Sequence, residues 1–545
     1  MKLSSAVKLG AVSAASLLLL AACGSKSSSS KNLADDQTLN WVETSNIPTM
    51  DPSKSTDIVS GGALNNVDEG LLRIGQNSKV RPGIAKSYSI SKDGKTWTFN
   101  LRHAKWSNGD PVTAQDFVYG WQRTVKPSTA SQYAYLYDHV KNYAAVNKGK
   151  MSPSKLGIKA DGKYKVVVSL SRPQSYFKYI VGAPAFFPQS QKIVDKYGSK
   201  YASNSKHAIY DGPFKLAGWT GTNNSWELVK NKNYWDAKAT KLKAVKFQVI
   251  KDQGTWLSQY QSGKVDELIT DGTQYKQLKN SKDMHLRNSA STFYLELNQR
   301  KGFFKNNVNA RKAISLAINK KQFVSDVLAD GSKNAKGLIP TGLVKKGSTD
   351  FADAAYVKSG TEYNLAQAKS DWKKALKQAG KSSESLTLLS DDTPAGKKTT
   401  EFIQSQLTKL PGLKVTTENV PFNVRLSRSQ KGQFDIVVSG WIADFPDAIS
   451  FSSLFTSNNS YNNGQWKNAT YDTDIKNAEG KDANNADARW NDLVGAEKIL
   501  MEQQGIVPLY QQSQAQLLKS KVHGIQYFPT GAQWDFSHAY ISNSK

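Results

Sequence analysis

The sequence predicts an α/β chain of several domains, on two grounds. Strand-like and helix-like hydrophobic patterns alternate along nearly its whole length, the arrangement that favours sheets covered by helices. No internal repeat interrupts the alternation, and the one low-complexity stretch is a short Ser-rich run near the start. Residues 95–102 (KTWTFNLR) put Trp97, Phe99 and Leu101 on one face, the period of a half-buried strand. After a turn at Asn108-Gly109-Asp110-Pro111, Thr113-Ala114-Gln115-Asp116 forms a capping box that opens a helix through Phe117, Val118 and Trp121. Residues 164–170 (YKVVVSL) and 245–250 (VKFQVI) read as further strands. Ala310, Ala313, Ile314, Ala317 and Ile318 follow helical spacing, as do Trp372, Ala375, Leu376 and Ala379 before a stop at Gly380. Residues 433–440 (QFDIVVSG) read as a buried strand ending at its glycine.

A chain of 545 residues, 39% apolar with 13 Trp, 23 Tyr and 20 Phe, can build two or three cores and line a cleft. The formal charge of +28 raises the possibility of a polyanion partner such as an adhesin's anionic polymer. The lysines are spread along the chain with no basic run of five or more, which argues for a solvated surface and against nucleic acid binding. Catalytic motifs are missing: there is no G-x-S-x-G and no H-E-x-x-H. The six histidines stand singly, without an HxH or HxxxH pair, so neither a metal nor another cofactor is expected. The reading is therefore a binding protein rather than an enzyme.

The N-terminus has the three-part plan of a secretory signal: Lys2 and Lys8, an apolar run ending at Leu17-Leu18-Leu19-Leu20, and small residues before Cys23. Cys23 is the only cysteine, so no disulfide can form within the chain. Leu20-Ala21-Ala22-Cys23 resembles the bacterial lipobox, whose cysteine is acylated and becomes the new N-terminus. That resemblance implies a lipoprotein signal peptide at 1–22, a lipidated cysteine and Ser-rich tether at 23–32, and anchoring on the extracellular face of a cell membrane by lipid alone.

One long block and ten shorter segments carry a wider resemblance. The block LRHAKWSNGDPVTAQDFVYGWQR (101–123) leads; MDPSKSTD (50–57), DGPFKLAGW (211–219), FYLELNQ (293–299), RKAISLAIN (311–319), SGWIADFPD (439–447) and IVPLYQQ (506–512) are among the others. Together they are similar to the family 5 extracellular solute-binding proteins, in particular the oligopeptide-binding, OppA-like branch that serves peptide ABC transporters. The resemblance implies a two-lobed, periplasmic-binding-protein-like fold (type II, cluster C) with an extra domain. It places lobe I at 33–72, 208–296 and 510–545, the extra domain at 73–207, and lobe II at 297–509. The leading block then falls in the extra domain, so Trp97, Trp106, Asp116 and Trp121 are expected to pack and cap rather than touch ligand.

The implied partners are oligopeptides, held between the lobes of a monomer, and the permease subunits that receive them. Asp444, following the strand that leads to Trp441, matches the aspartate that holds the peptide N-terminus in the family; a helix-capping role suits Asp447 better. Trp441 and Phe422 match aromatic pocket residues, and Tyr294 and Tyr510 lie at segment ends where the lobes meet, with core packing as the alternative for each. Asp57 and Ile58 belong to a stretch that donates main-chain hydrogen bonds to the peptide. At the carboxylate end Ser429 and Val438 occupy positions where some relatives carry arginine, with Arg425 and Arg428 out of register. This departure implies longer or less length-restricted peptides. A receptor for signalling peptides uses the same cleft and is the alternative.

Overall fold

The computed structural model describes residues 33–75, 79–174, 176–300 and 302–543; Cys23, the signal peptide and the tether lie outside them. Three sheets organise the chain. The first is four-stranded: Thr38–Glu43 runs parallel to Ala244–Val249, which is flanked in turn by Ser225–Lys230 and Phe214–Ala217. Its core gathers Leu39, Trp41, Trp226, Phe247 and Phe536, so residues from both ends of the sequence pack together. Ala34 N–H donates to the Ile541 carbonyl at 2.9 Å, closing the chain on itself.

Beneath this sheet a buried ion cluster ties the C-terminal segment to residues 69–81. Asp535, fully buried, accepts from Arg73 at 3.0 Å and from Arg81 at 2.8 Å. Burial alone would raise the Asp535 carboxyl, but the two guanidiniums outweigh it and hold the group at about 2.

The second sheet, Ala85–Ile90, Thr96–Leu101, Lys165–Ser169 and Ile158–Ala160, is antiparallel throughout. Trp97, Phe99 and Leu101 alternate inward as their spacing predicts, against the helix Ala114–Val125. Thr113 and Asp116 make the expected reciprocal capping box. Trp121 is fully buried, its indole N–H donating to the Phe186 carbonyl at 2.9 Å, so the most family-like block of sequence serves packing.

The third sheet has seven strands, in the order Glu267–Ile269, Ile506–Leu518, Met284–Leu297, Ile436–Ile442, Glu384–Asp391, Leu413–Val420, with Lys333–Asn334 paired beside Ile506–Leu518. Its helices include Val308–Ala317 and Leu365–Gln378, whose apolar stripes bury Ile314, Trp372 and Leu376 as the spacing requires. Gly380 follows the second helix with φ 64°, the left-handed turn that stops it.

Two long antiparallel strands, Met284–Leu297 and Ile506–Leu518, run side by side through the third sheet. Their pairing is regular from Met284 to Asn288 and again from Tyr294 to Glu296, with register irregularities between Asn288 and Thr292 and between Phe293 and Tyr294. A break of that kind concentrates bending where two lobes must move relative to each other. Ser291 to Glu296, on the N-terminal side of the expected crossing at 296/297, already pair with Val437 to Ile442.

One element departs from its expectation. The strand expected to stop at Gly440 continues to Ile442. Gly440 pairs with Phe293, and a Cβ there would stand 3.0 Å from the Phe293 ring. The glycine is a place of close approach within the sheet, not a terminator.

Candidate functional site

The extended strand delivers Trp441 and then Asp444 to the hinge end of the third sheet, where Ile442 pairs with Ser291 and the Ala443 N–H donates to the Ala290 carbonyl at 2.9 Å. The Asp444 backbone is fixed by Ser450, whose hydroxyl accepts from its N–H at 2.7 Å. One carboxylate oxygen, Oδ1, accepts from the Tyr133 hydroxyl at 3.0 Å. The other, Oδ2, is buried and has no hydrogen-bond partner among the described residues. Burial pushes the Asp444 carboxyl from its ordinary 3.8 up to about 7, with the Tyr133 bond pulling weakly the other way.

Aromatic rings enclose this carboxylate. Trp441, almost fully buried, meets Tyr461 edge-on with centroids 4.5 Å apart and Tyr133 edge-on at 6.0 Å. Tyr135 lies next to Tyr133, within electrostatic reach of Asp444. Tyr461 senses Arg425, Glu296, Asp444 and, from the other lobe, Asp57. Unpartnered buried polar atoms cluster along the same pair of strands: Ser291 Oγ, Thr292 Oγ1, Tyr294 OH, Glu296 Oε1 and Trp441 Nε1 join Asp444 Oδ2. Since buried polar atoms normally find partners, this seam of donors and acceptors is a place where water or a bound molecule can complete the hydrogen bonding.

The remaining expected residues fall in different places. Tyr294 is fully buried, edge-on to Phe455 at 5.6 Å, with its hydroxyl in that seam. Phe422 starts the helix Phe422–Lys431 and lies under the Arg425 guanidinium at 5.0 Å. Asp57 caps the helix Ile58–Val67, its carboxylate accepting from the Ser60 N–H at 2.8 Å; Ile58 beside it is 40% exposed. Tyr510 stands apart from Asp444: its ring stacks on Phe293 at 4.7 Å and meets Phe323 edge-on within the second-lobe core. Asp447 takes the local role expected of it, accepting from the Ile449 N–H at 3.0 Å and from Arg489 at 2.8 Å.

Neither nearby arginine offers a free positive charge. Arg425 Nε donates to Asp391 at 2.8 Å, and Arg428 pairs with Glu418 at 2.5 Å. At the aligned positions Ser429 bonds the Arg425 carbonyl and Val438 packs in the core.

Sequence reasoning missed Tyr133, Tyr135 and Tyr461, and no local pattern distinguishes them from core tyrosines. It also missed Gln132, which accepts from Gln430 at 2.7 Å and from Thr56 at 3.5 Å, while its carbonyl accepts from Ser460 at 2.8 Å. One glutamine thereby bridges three distant segments at the edge of the site. Among the described residues one trio of metal-ligating types converges, Asp138, His139 and Glu479. Arg172 donates to both Asp138 and His139 at 2.9 Å, so a guanidinium already engages two of the three.

Comparison with known proteins decides the lineage. Residues 79–463 match the model of the bacterial extracellular solute-binding proteins, family 5. The chain belongs to this family. Its members are binding components rather than enzymes. A dipeptide-binding protein of Lactococcus lactis is 36% identical over 559 aligned residues, covering 99% of this chain and all of that one. Listeria monocytogenes OppA bound to peptide superposes with a TM-score of 0.90 at 38% identity, over 94% of this chain and all of that one. The pheromone receptor PrgZ follows with a TM-score of 0.88 at 34% identity, over 93% of this chain and all of that one. The two-lobed α/β fold of the family is the fold of this chain.

Proposed function

We propose that this protein captures oligopeptides between its lobes and hands them to an ABC-type importer. The observation that carries the reading is Asp444 Oδ2, a buried carboxylate oxygen without a partner, in an aromatic enclosure at the hinge end of the sheet. A peptide of any sequence presents an α-ammonium, and a desolvated carboxylate is the group that selects it. Main-chain recognition supplies the rest: an extended peptide beside a sheet satisfies its own N–H and C=O groups without its side chains being read. The peptide-bound relative and the dipeptide-binding relative support the substrate class.

In this mechanism the ligand enters with the lobes apart, sets its ammonium on Asp444, and is enclosed as the lobes swing on the two long strands. The side chains fall among Trp441, Tyr133 and Tyr461. Arg425 and Arg428 are already neutralised by carboxylates, so the peptide's C-terminus meets no fixed charge from them, which favours a range of lengths. Cys23, acylated after cleavage of the signal peptide, keeps the monomer near its permease on the extracellular face of the membrane and raises its local concentration there.

The test is native mass spectrometry of protein lacking residues 1–23, purified from peptide-rich medium, beside its Asp444→Ala variant. Mixed peptide masses on the parent that vanish from the variant support capture and clamp together. Bare parent protein counts against the substrate class. The likeness to a pheromone receptor favours one second reading, a receptor for signalling peptides. Affinity for one sequence far above that for mixed peptides would select it.

A further inference from the structure

At the far end of lobe II from Asp444 lies a cavity of about 660 Å³, within the size range of small-molecule sites. Its walls come from the residues just past Leu297 and just before Ile506, where the two long strands end. Ile442 pairs with Ser291 at the hinge end and Ile436 with Leu297 at this one, so about 20 Å of strand separates the cavity from the peptide site.

Its chemistry is of one sign. Four cationic side chains line it, Arg300, Lys305, Arg311 and Lys467, and no carboxylate does. None of the four has an ion-pair partner among the described residues, although the structure pairs Arg73, Arg123, Arg425 and Arg489 with acids. Arg311 is 4% exposed, a buried guanidinium satisfied only by main-chain carbonyls: Nε by Gln503 and Gln504 at 3.1 Å each, Nη1 by Phe304 at 2.9 Å. Its Nη2 makes no hydrogen bond among the described residues, and the side chain lines the cavity. Burying a guanidinium without an anion is costly, and an arginine so placed is the group that takes a planar or tetrahedral oxyanion by two parallel hydrogen bonds. Burial lowers its titration only to about 10, so the charge persists at neutral pH. The acid nearest in effect, Glu296, is buried and pushed up to about 8, leaving it largely uncharged there.

Two helices add to the field. Val308–Ala317, capped by Asn307, and Ala469–Glu479, capped by Asn468, both begin at the cavity wall, each directing the positive end of its dipole there.

We infer that this cavity is a second binding site, separate from the peptide cleft, for a phosphate-bearing anion. The same chemistry can come from a soluble phosphorylated compound or from a lipid headgroup at the membrane surface.

The experiment titrates the protein lacking residues 1–23 with pyrophosphate by isothermal calorimetry, and separately with vesicles containing phosphatidylglycerol. It compares the parent, Lys305→Gln/Lys467→Gln, and a control that removes two exposed charges elsewhere, Lys92→Gln/Lys159→Gln. Arg300 and Arg311 are left in place because their bonds to main-chain carbonyls support the fold, Arg300 donating to Asn463 at 2.9 Å and to Gln430 at 3.0 Å. The expected result is saturable binding, weakened at least tenfold in the cavity variant and unchanged in the control, with peptide affinity the same in all three. Cavity-dependent binding of pyrophosphate alone assigns a soluble ligand; vesicle binding that pyrophosphate displaces assigns the headgroup. Equal losses in cavity variant and control would reduce the effect to the overall charge and overturn the site, as would no saturable binding of either probe.

Discussion

Replacing Asp444 by Asn is the sharpest test of the peptide clamp, because it keeps shape and the Tyr133 bond while removing the charge. In the closed, unliganded site burial moves this carboxyl from 3.8 to about 7, so keeping it ionised above neutral pH costs about 4 kcal/mol. An α-ammonium against Oδ2 offsets that cost; deleting one partner of such a buried pair forfeits about 3–5 kcal/mol, a Kd weakened between about a hundredfold and several thousandfold. The assay is calorimetry with a tripeptide and its N-acetylated form on parent and variant. If ammonium and carboxylate meet, acetylation weakens binding to the parent but hardly changes the already weak binding to Asp444→Asn. The sign of the pH dependence follows: a group titrating near 7 in the unliganded site must lose its proton to bind, so parent affinity falls about tenfold per pH unit below 7. It falls again above about 8 as the peptide amine deprotonates. The variant is flat between pH 5 and 7. Equal losses on acetylation in both proteins, or a pH-independent parent, would refute the clamp.

Three further outcomes follow from the structure. Gly272 begins the helix Gly272–Leu278 against the Leu328 carbonyl, which an added Cβ overlaps; with the two segments expected in different lobes, Gly272→Ala should oppose closure by about 1–3 kcal/mol. Calorimetry should show peptide affinity down roughly five- to hundredfold, while unfolding by urea changes little. Asp535→Asn leaves Arg73 buried beside one weaker partner, Glu69 at 3.7 Å, and should cost about 3–5 kcal/mol in the same urea assay. In the parent the depressed Asp535 carboxyl contributes about 2 kcal/mol, present above pH 3.8 and lost as the pH falls through about 2. Cys23→Ala should move the protein from membrane to medium, measured by fractionation, with peptide affinity unchanged; loss of affinity would contradict the separation of anchor and site.

What the sequence disclosed follows from how local each feature is. Trp97, Phe99 and Leu101 fix their strand by alternation, and Thr113 with Asp116 fixes its helix start, because both signals lie within a few residues. Asp444 was legible as the first acid after a buried strand. Gly440 misled, since a glycine that ends a strand and one that admits a neighbouring ring look alike until Phe293 is seen opposite it. The partners of Asp444 were beyond reach: Tyr133 is 311 positions away. The lobe crossings depend on pairing Met284–Leu297 with Ile506–Leu518, a contact across two hundred residues that no local period encodes. The basic cavity was hidden for the same reason, its cations being dispersed among many others until two strand ends and two helix starts converge.

These magnitudes also explain why capture and closure are coupled. Across the cleft the lobes are joined by Lys251 to Asp392 at 2.6 Å and Lys398 to Asp271 at 3.2 Å, pairs in which both lysines are well exposed. Exposed pairs contribute at most about 1 kcal/mol each, and less in salt. Against them stands the ionised Asp444, whose burial costs about 4 kcal/mol when nothing meets Oδ2. Closure of the empty protein therefore draws a proton onto Asp444, which the buried carboxyl holds up to about pH 7. A ligand bearing an ammonium removes the penalty only in the closed form, where the carboxylate is desolvated. That difference between the two states, rather than affinity as such, lets the ligand drive the lobes together. The carboxylate that reads the peptide is thus also the group whose proton the ligand's ammonium displaces, which is why closure on a ligand carries the pH dependence worked out above.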